Sequence, residues 1–320
     1  MTMPAVSLIL PTCNRPKLLA EAIDSINTQT YSGTMEVIIA DDGSLSPVTL
    51  NALPSCKFEI QILRNTASKG GAAAKNLGVN AAQGEFLLFL DDDDLLSPGY
   101  VEDAITTLLS FPQIRILFMS VRWFGERAEW GQRQHDRNTQ WILDRTTYWE
   151  PEPGIILFTH GLFEALLQRI PMPFQRPVLR RKDFEAIGHY QEDCLLWDCE
   201  WALRAVLHGT CALAQKSPYL QRASGQGYSS KASRQEEHLH SMIIAKERLI
   251  QHPTCKKDPN YRKSLIFSLA DAWFNTAYFY CHQKRHHQAV IALLQAVRWH
   301  PEPRQAKLLG RILYQTLIHR

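Results

Sequence analysis

At 320 residues the chain is long enough for one large or two modest domains with a real core. Its hydrophobic share of 45% and charged share of 21% are ordinary for a globular protein. No run approaches the roughly 20 apolar residues that span a bilayer. A net charge of +3 gives no ground for nucleic-acid binding, and seven scattered cysteines without a C-x-x-C pair exclude a zinc knuckle or disulfide framework. Reduced thiols in a cytoplasmic protein are expected. The apolar stretch Val6 to Leu10 is too short for a signal-peptide core.

Val6 to Leu10 reads as a buried strand that stops at Pro11. Asn14 is expected to cap a helix with Pro16 in its first turn, since Leu18, Leu19, Ala22, Ile23 and Ile26 recur at helical spacing. Glu36 to Ala40 is a second strand and Phe58 to Leu63 a weaker third. Ala72 to Ala82 reads as a helix and Phe86 to Leu90 as a fourth strand. This alternation predicts an α/β fold with a mostly parallel sheet.

From about 100 to 235 the pattern loosens. Ile114 to Val121 suits a strand, while 122 to 153 is rich in Trp, Arg and Gln with little periodicity. The tryptophans at 123, 130, 141 and 149 suit either sugar stacking or core packing. Leu195 to His208 is a helix that Gly209 is expected to cap. Gln221 to Arg234 reads as a mobile loop over a site. Beyond it the chain is helical over 236–251, 262–284 and 286–298, with Ala270, Ala277, Ala289 and Ala296 at packing positions. The organisation expected is two halves of one domain, 1–110 and 111–235, followed by a helical module, 236–320. From Cys281 onward there are seven Lys or Arg and one acid, Glu302. That end reads as a solvated basic face or a peripheral contact with an anionic membrane.

The chemistry concentrates where Asp91 to Asp94 follow the fourth strand. In a parallel sheet Pro11-Thr12, Asp41-Asp42 and these acids leave from one edge, where open α/β sheets bind ligands. Packed carboxylates call for a cation, and oxygen ligands suit magnesium or manganese. A solvated acidic loop, or acids leading into a helix started by Ser97 and Pro98, are the other readings. The small residues around Lys69-Gly70-Gly71 allow close approach of a ligand, and Lys69 and Lys75 supply charge for a diphosphate.

PTCNRP (11–16), ADDGS (40–44), KGGAAAKNLG (69–78) and FLDDDD (89–94) resemble, in order and spacing, family 2 glycosyltransferases with the GT-A fold. The resemblance continues through 178–192 and 197–209. It implies an inverting transfer of a sugar from a nucleotide-diphosphate donor, commonly UDP-linked, to a hydroxyl of a glycan or glycolipid in bacterial surface-polymer assembly. It further implies that Asp41 pairs with the nucleobase, Asp91 binds ribose and Asp93 ligates Mn²⁺ or Mg²⁺ on the diphosphate. Pro11, Thr12, Arg15, Asp42, Gly70, Lys75 and Asp92 complete the sugar-donor set.

The resemblance also implies a catalytic base on the acid that opens the helix running toward Arg204, a position that Asp198 occupies by its spacing from Gly188 and Arg204, with Asp193 as the alternative. Three departures stand out: Lys75 replaces the family's frequent arginine, Trp197 its usual glutamate, and His189-Tyr190 its usual Gly-Phe. A sugar-phosphate nucleotidyltransferase would want a Gly-rich phosphate loop after the first strand, which PTCNRP lacks. A non-catalytic nucleotide-sugar-binding scaffold is the remaining alternative.

Overall fold

The computed structural model describes residues 3–223 and 232–318, so eight residues of the loop expected over 221–234 lie outside it. Two compact units form: Met1–Glu192 with Trp197–Gly225, and Asp193–Leu196 with Gln226–Arg320.

The first unit is built on one ten-stranded sheet. Strands β1 (Val6–Thr12), β2 (Met35–Asp41), β3 (Glu59–Arg64) and β4 (Phe86–Phe89) pair in parallel, in the order β3-β2-β1-β4. The first, second and fourth of these are mostly apolar, interrupted before their ends only by Ser7 and Glu36, because both of their faces are covered. On one face α1 (Pro16–Asn27) sets Leu19, Ala22, Ile23 and Ile26 against Leu8, Leu10 and Leu88. On the other lies α2 (Gly71–Ala81), where a Cβ on Gly78 would come within 2.6 Å of Ile9.

The sheet continues with short β5 (Leu95–Leu96), helix α3 (Tyr100–Ser110), β6 (Ile116–Phe124), α4 (Ala128–Leu143), and the hairpin β7 (Thr147–Glu152) and β8 (Ile155–His160). Then come α5 (Leu162–Gln168), a 3₁₀ turn at Met172–Gln175, β9 (Pro177–Arg180), α6 (Arg181–Ile187), α7 (Trp197–Val206) and β10 (Cys211–Arg222). Strand β9 runs antiparallel between β4 and β6, and β10 lies parallel to β6. Strands β5 and β8 are each antiparallel to β10, and β7 to β8. Following these pairings, seven of the ten strands point the same way, which bears out a mostly parallel sheet.

Three local expectations are corrected. Asn14 does not cap α1. It sits at φ 56°, and its side-chain oxygen instead accepts from the Leu45 amide at 2.8 Å, clasping a neighbouring loop. Gly209 is outside the left-handed region, and α7 already ends at Val206. The stretch 122–153 is regular after all: it holds α4 and β7, which the absence of an apolar period concealed.

In the second unit α8 (Gln235–Leu249), α9 (Pro253–Lys257), α10 (Pro259–His282), α11 (His286–Trp299) and α12 (Pro303–Ile318) follow one another. The four alanines expected at packing positions are all fully buried. Small side chains there let helix backbones approach closely. Among the described residues, no helix is long and apolar enough to cross a membrane.

Candidate active site

Register brings the acids together. Thr12 lies opposite Asp41 across β1 and β2. The Leu90 amide donates to the Ile9 carbonyl at 3.0 Å, which carries Asp91 to Asp94 out at the same edge.

Asp41 is fully buried. Its Oδ1 accepts from the Ser44 amide at 2.9 Å and its Oδ2 from Arg64 at 2.7 Å, so neither oxygen is open to a nucleobase. Burial opposes its charge, but the Ser44 and Val48 amides and Arg64 hold its carboxyl below the usual range. Asp42 is likewise enclosed: Asn65, Ser68 and the amides of Lys69 and Gly70 all donate to it, and they lower its pKa against burial. In this structure Asp42 braces the loop that enters α2, and Asp41 the loop that follows β2. Gly43 must be glycine for that approach, at φ +71° and with a Cβ that would meet the Ser68 amide at 2.6 Å.

The four-aspartate cluster is paired by the chain's own cations, which removes self-repulsion as a reason for a metal. Lys75, nearly inaccessible, meets Asp91 at 2.8 Å, and Arg176, equally buried, meets it at 2.9 Å. Burial would raise the Asp91 pKa, but Arg176 and Lys75 pull it well below the usual carboxylate range. Arg15 reaches Asp92 and Asp93, each at 3.0 Å. Thr12 donates to Asp92 at 2.7 Å, yet burial still pushes that carboxyl up to about 6. Asp94 is raised by burial too, and is held by the Tyr219 hydroxyl at 2.9 Å and the Arg222 amide at 2.8 Å.

Asp93 is the most accessible of the four, its side chain 32% exposed. No group of three or more His, Cys, Asp or Glu gathers for a metal among the described residues. A hard cation bound to phosphates needs only one or two protein carboxylates. Asp93, whose Oδ2 already meets Arg15, is the carboxylate of the four that could serve in that way.

Asp198 opens α7 in the first unit, and its charge acts on Arg176 and on the Tyr190 hydroxyl. Asp193, the alternative base, belongs to the second unit and is gripped through both oxygens by Arg248. The structure therefore gathers Thr12, Arg15, Lys75 and Asp91 to Asp93 into one network. Pro11 stays in β1 beside it, with Gly70 at the entry to α2. Arg176 and Tyr219 are central residues that the sequence reading missed. The one signal was an arginine directly before the apolar run Pro177 to Leu179.

Solved structures share this architecture. TarS from S. aureus, in complex with UDP-GlcNAc, superposes with a TM-score of 0.67 at 17% identity, over 97% of this chain and 84% of that one. The mannosyltransferase PcManGT from Pyrobaculum calidifontis, in complex with GDP-Man and Mn²⁺, gives 0.57 at 18% identity, over 99% and 81%. The fold is that of the GT-A glycosyltransferases.

The sequence itself matches Glycosyl transferase family 2 over residues 7–170, just over half of the chain, and the protein belongs to that family. UDP-Glc:alpha-D-GlcNAc-diphosphoundecaprenol beta-1,3-glucosyltransferase WfgD of Escherichia coli is 33% identical over 32% of this chain and 41% of its own length. GalNAc(5)-diNAcBac-PP-undecaprenol beta-1,3-glucosyltransferase of Campylobacter jejuni is 38% identical over 33% and 34%. The match thus spans less than half of each of these relatives.

Proposed function

We propose that the protein is an inverting glycosyltransferase that moves a sugar from a nucleoside-diphosphate donor, UDP-linked as first choice, to a hydroxyl of a lipid-carried glycan. The observation that carries this reading is the placement of Asp198 at the start of α7 within electrostatic reach of Arg176, which itself pairs with Asp91. The named activities of the Escherichia coli and Campylobacter jejuni relatives support a lipid-diphosphate-linked acceptor. The basic end of the chain suits peripheral contact with the anionic cytoplasmic face of a membrane.

In this reading Asp198 takes the proton of the acceptor hydroxyl as its oxygen bonds to the anomeric carbon. The bond from that carbon to the diphosphate breaks, its electron pair leaves with the phosphate, and attack from the opposite face inverts the centre. Arg15 is the nearby accessible cation able to meet the leaving charge, while Lys75 fixes Asp91 beside it. Mn²⁺ or Mg²⁺, held by Asp93, would supply Lewis-acid neutralisation of the diphosphate.

Calorimetry with UDP and UDP-GlcNAc, with and without Mn²⁺, tests the reading. Uptake should tighten at least tenfold with metal, and Asp93→Ala should abolish that gain. Uptake indifferent to metal would overturn the role of Asp93. Failure of every UDP-, GDP- and dTDP-sugar to bind would overturn the function.

A further inference from the structure

Helix α4 turns the wrong kind of face inward. Gln132, His135 and Thr139 recur at spacings of three and four, so they share one side of the helix. A helix packed on a sheet normally presents apolar residues there. Here that side, together with Ser120 of β6, Gln215 of β10 and Pro173, bounds a pocket of about 340 Å³. The volume falls within the roughly 300–1,000 Å³ of small-molecule sites.

Two of its polar groups are buried without a partner among the described residues: His135 Nδ1 and Thr139 Oγ1. His135 is 91% buried, its relative exposure being 9%. Buried polar atoms of this kind are rarely left unpaired, and an unmet one marks a place where something else makes the bond. Desolvation also lowers the His135 pKa against the pull of Asp136, which favours a neutral ring able both to donate and to accept.

We propose that the pocket under α4 is a saccharide subsite that binds a neutral, hydroxyl-bearing sugar unit of the acceptor through His135, Thr139 and Ser120. The lining chemistry selects this class. Hydroxyl, imidazole and amide groups match sugar hydroxyls, which give and take hydrogen bonds at many angles, and the two charged residues of the lining, Arg122 and Asp136, are of opposite sign. The proposal rests on the transferase reading for the word acceptor, but its test does not.

Methyl glycosides of glucose, galactose, N-acetylglucosamine and N-acetylgalactosamine are titrated without nucleotide and followed by saturation-transfer NMR. The proteins compared are the full chain, His135→Phe and Thr139→Val, with melting temperature as the check on folding. Thr139→Val keeps shape and removes only the hydroxyl, so it remains informative if His135→Phe fails to fold. At least one glycoside should bind saturably, and at least tenfold more weakly in each folded variant. Binding of no glycoside, or equal binding by the parent and a folded variant, would overturn the subsite. UDP-sugar uptake, measured separately, should be the same in the parent and both variants. Loss of uptake in the parent would sink the transferase and leave the pocket's own result standing.

Discussion

Trp197 sets its ring over the buried ammonium of Lys75, with Nζ 4.7 Å from the ring centroid. The same ammonium pairs with Asp91, and a Cβ on Gly71 would come within 3.1 Å of the indole. Two of the positions that depart from the family pattern, Lys75 and Trp197, are therefore in contact. A desolvated cation over an indole is worth on the order of 2 kcal/mol. Trp197 thus steadies a charge that a carboxylate at the same position would neutralise.

Asp198→Asn should lower sugar transfer by at least about 100-fold, the lower bound for a positioned general base. Affinity for UDP should hold. Asp193→Asn removes a surface pair with Arg248 and should leave turnover within about twofold, since exposed ion pairs contribute on the order of 1 kcal/mol or less. Steady-state rates and UDP titrations of both variants decide the matter. The reverse ranking would transfer the role to Asp193.

Asp91→Asn strips Lys75 and Arg176 of their shared carboxylate while both remain enclosed. Removing one member of a buried pair costs about 3–5 kcal/mol, because the partner charge stays desolvated. Adding Lys75→Met to that variant should recover at least about a third of the loss, giving a coupling well outside simple additivity. Urea unfolding of the four proteins of this cycle measures it. Additive losses would mean that the pair does not matter to stability.

Lys246 supplies a pH dependence outside the site. It is buried, donates to the Ser268 carbonyl at 3.2 Å, and is lowered to about 8 by desolvation against the opposing pull of Asp271. Its folded pKa lies below its unfolded one, so between these values the unfolded chain holds more protons and stability rises with pH. Lys246→Met should accordingly exceed the parent by up to about 3 kcal/mol at pH 7. The margin should shrink as pH approaches 10. A margin that grows with pH, or a less stable variant at pH 7, would refute the burial cost.

The first hundred residues were readable because strands covered on both faces are mostly apolar, and that signal is local. The acid cluster was readable for the same reason, as it follows directly from such a strand. Helix α4 was hidden because its inward face carries Gln132, His135 and Thr139 where an apolar stripe is looked for. Arg176 was hidden because its importance arises from pairing across the sheet. Strand β9 lies between β4 and β6, and only that insertion brings Arg176 to Asp91. Asp41 shows a limit of another kind. Its position is family-like, yet Arg64, from the next strand, already occupies its carboxylate.

The excursion of Asp193–Leu196 into the second unit has a practical bearing. Cys194 and Leu196 are buried there, and the Leu195 amide donates to Ser241 Oγ at 2.9 Å. A protein shortened to end after β10 would keep every strand yet strip this tetrapeptide of its cover, just ahead of Trp197 and Asp198. Such a fragment would bare apolar side chains a few residues ahead of Asp198 in the chain, so excising the helices is a poor way to learn what they do.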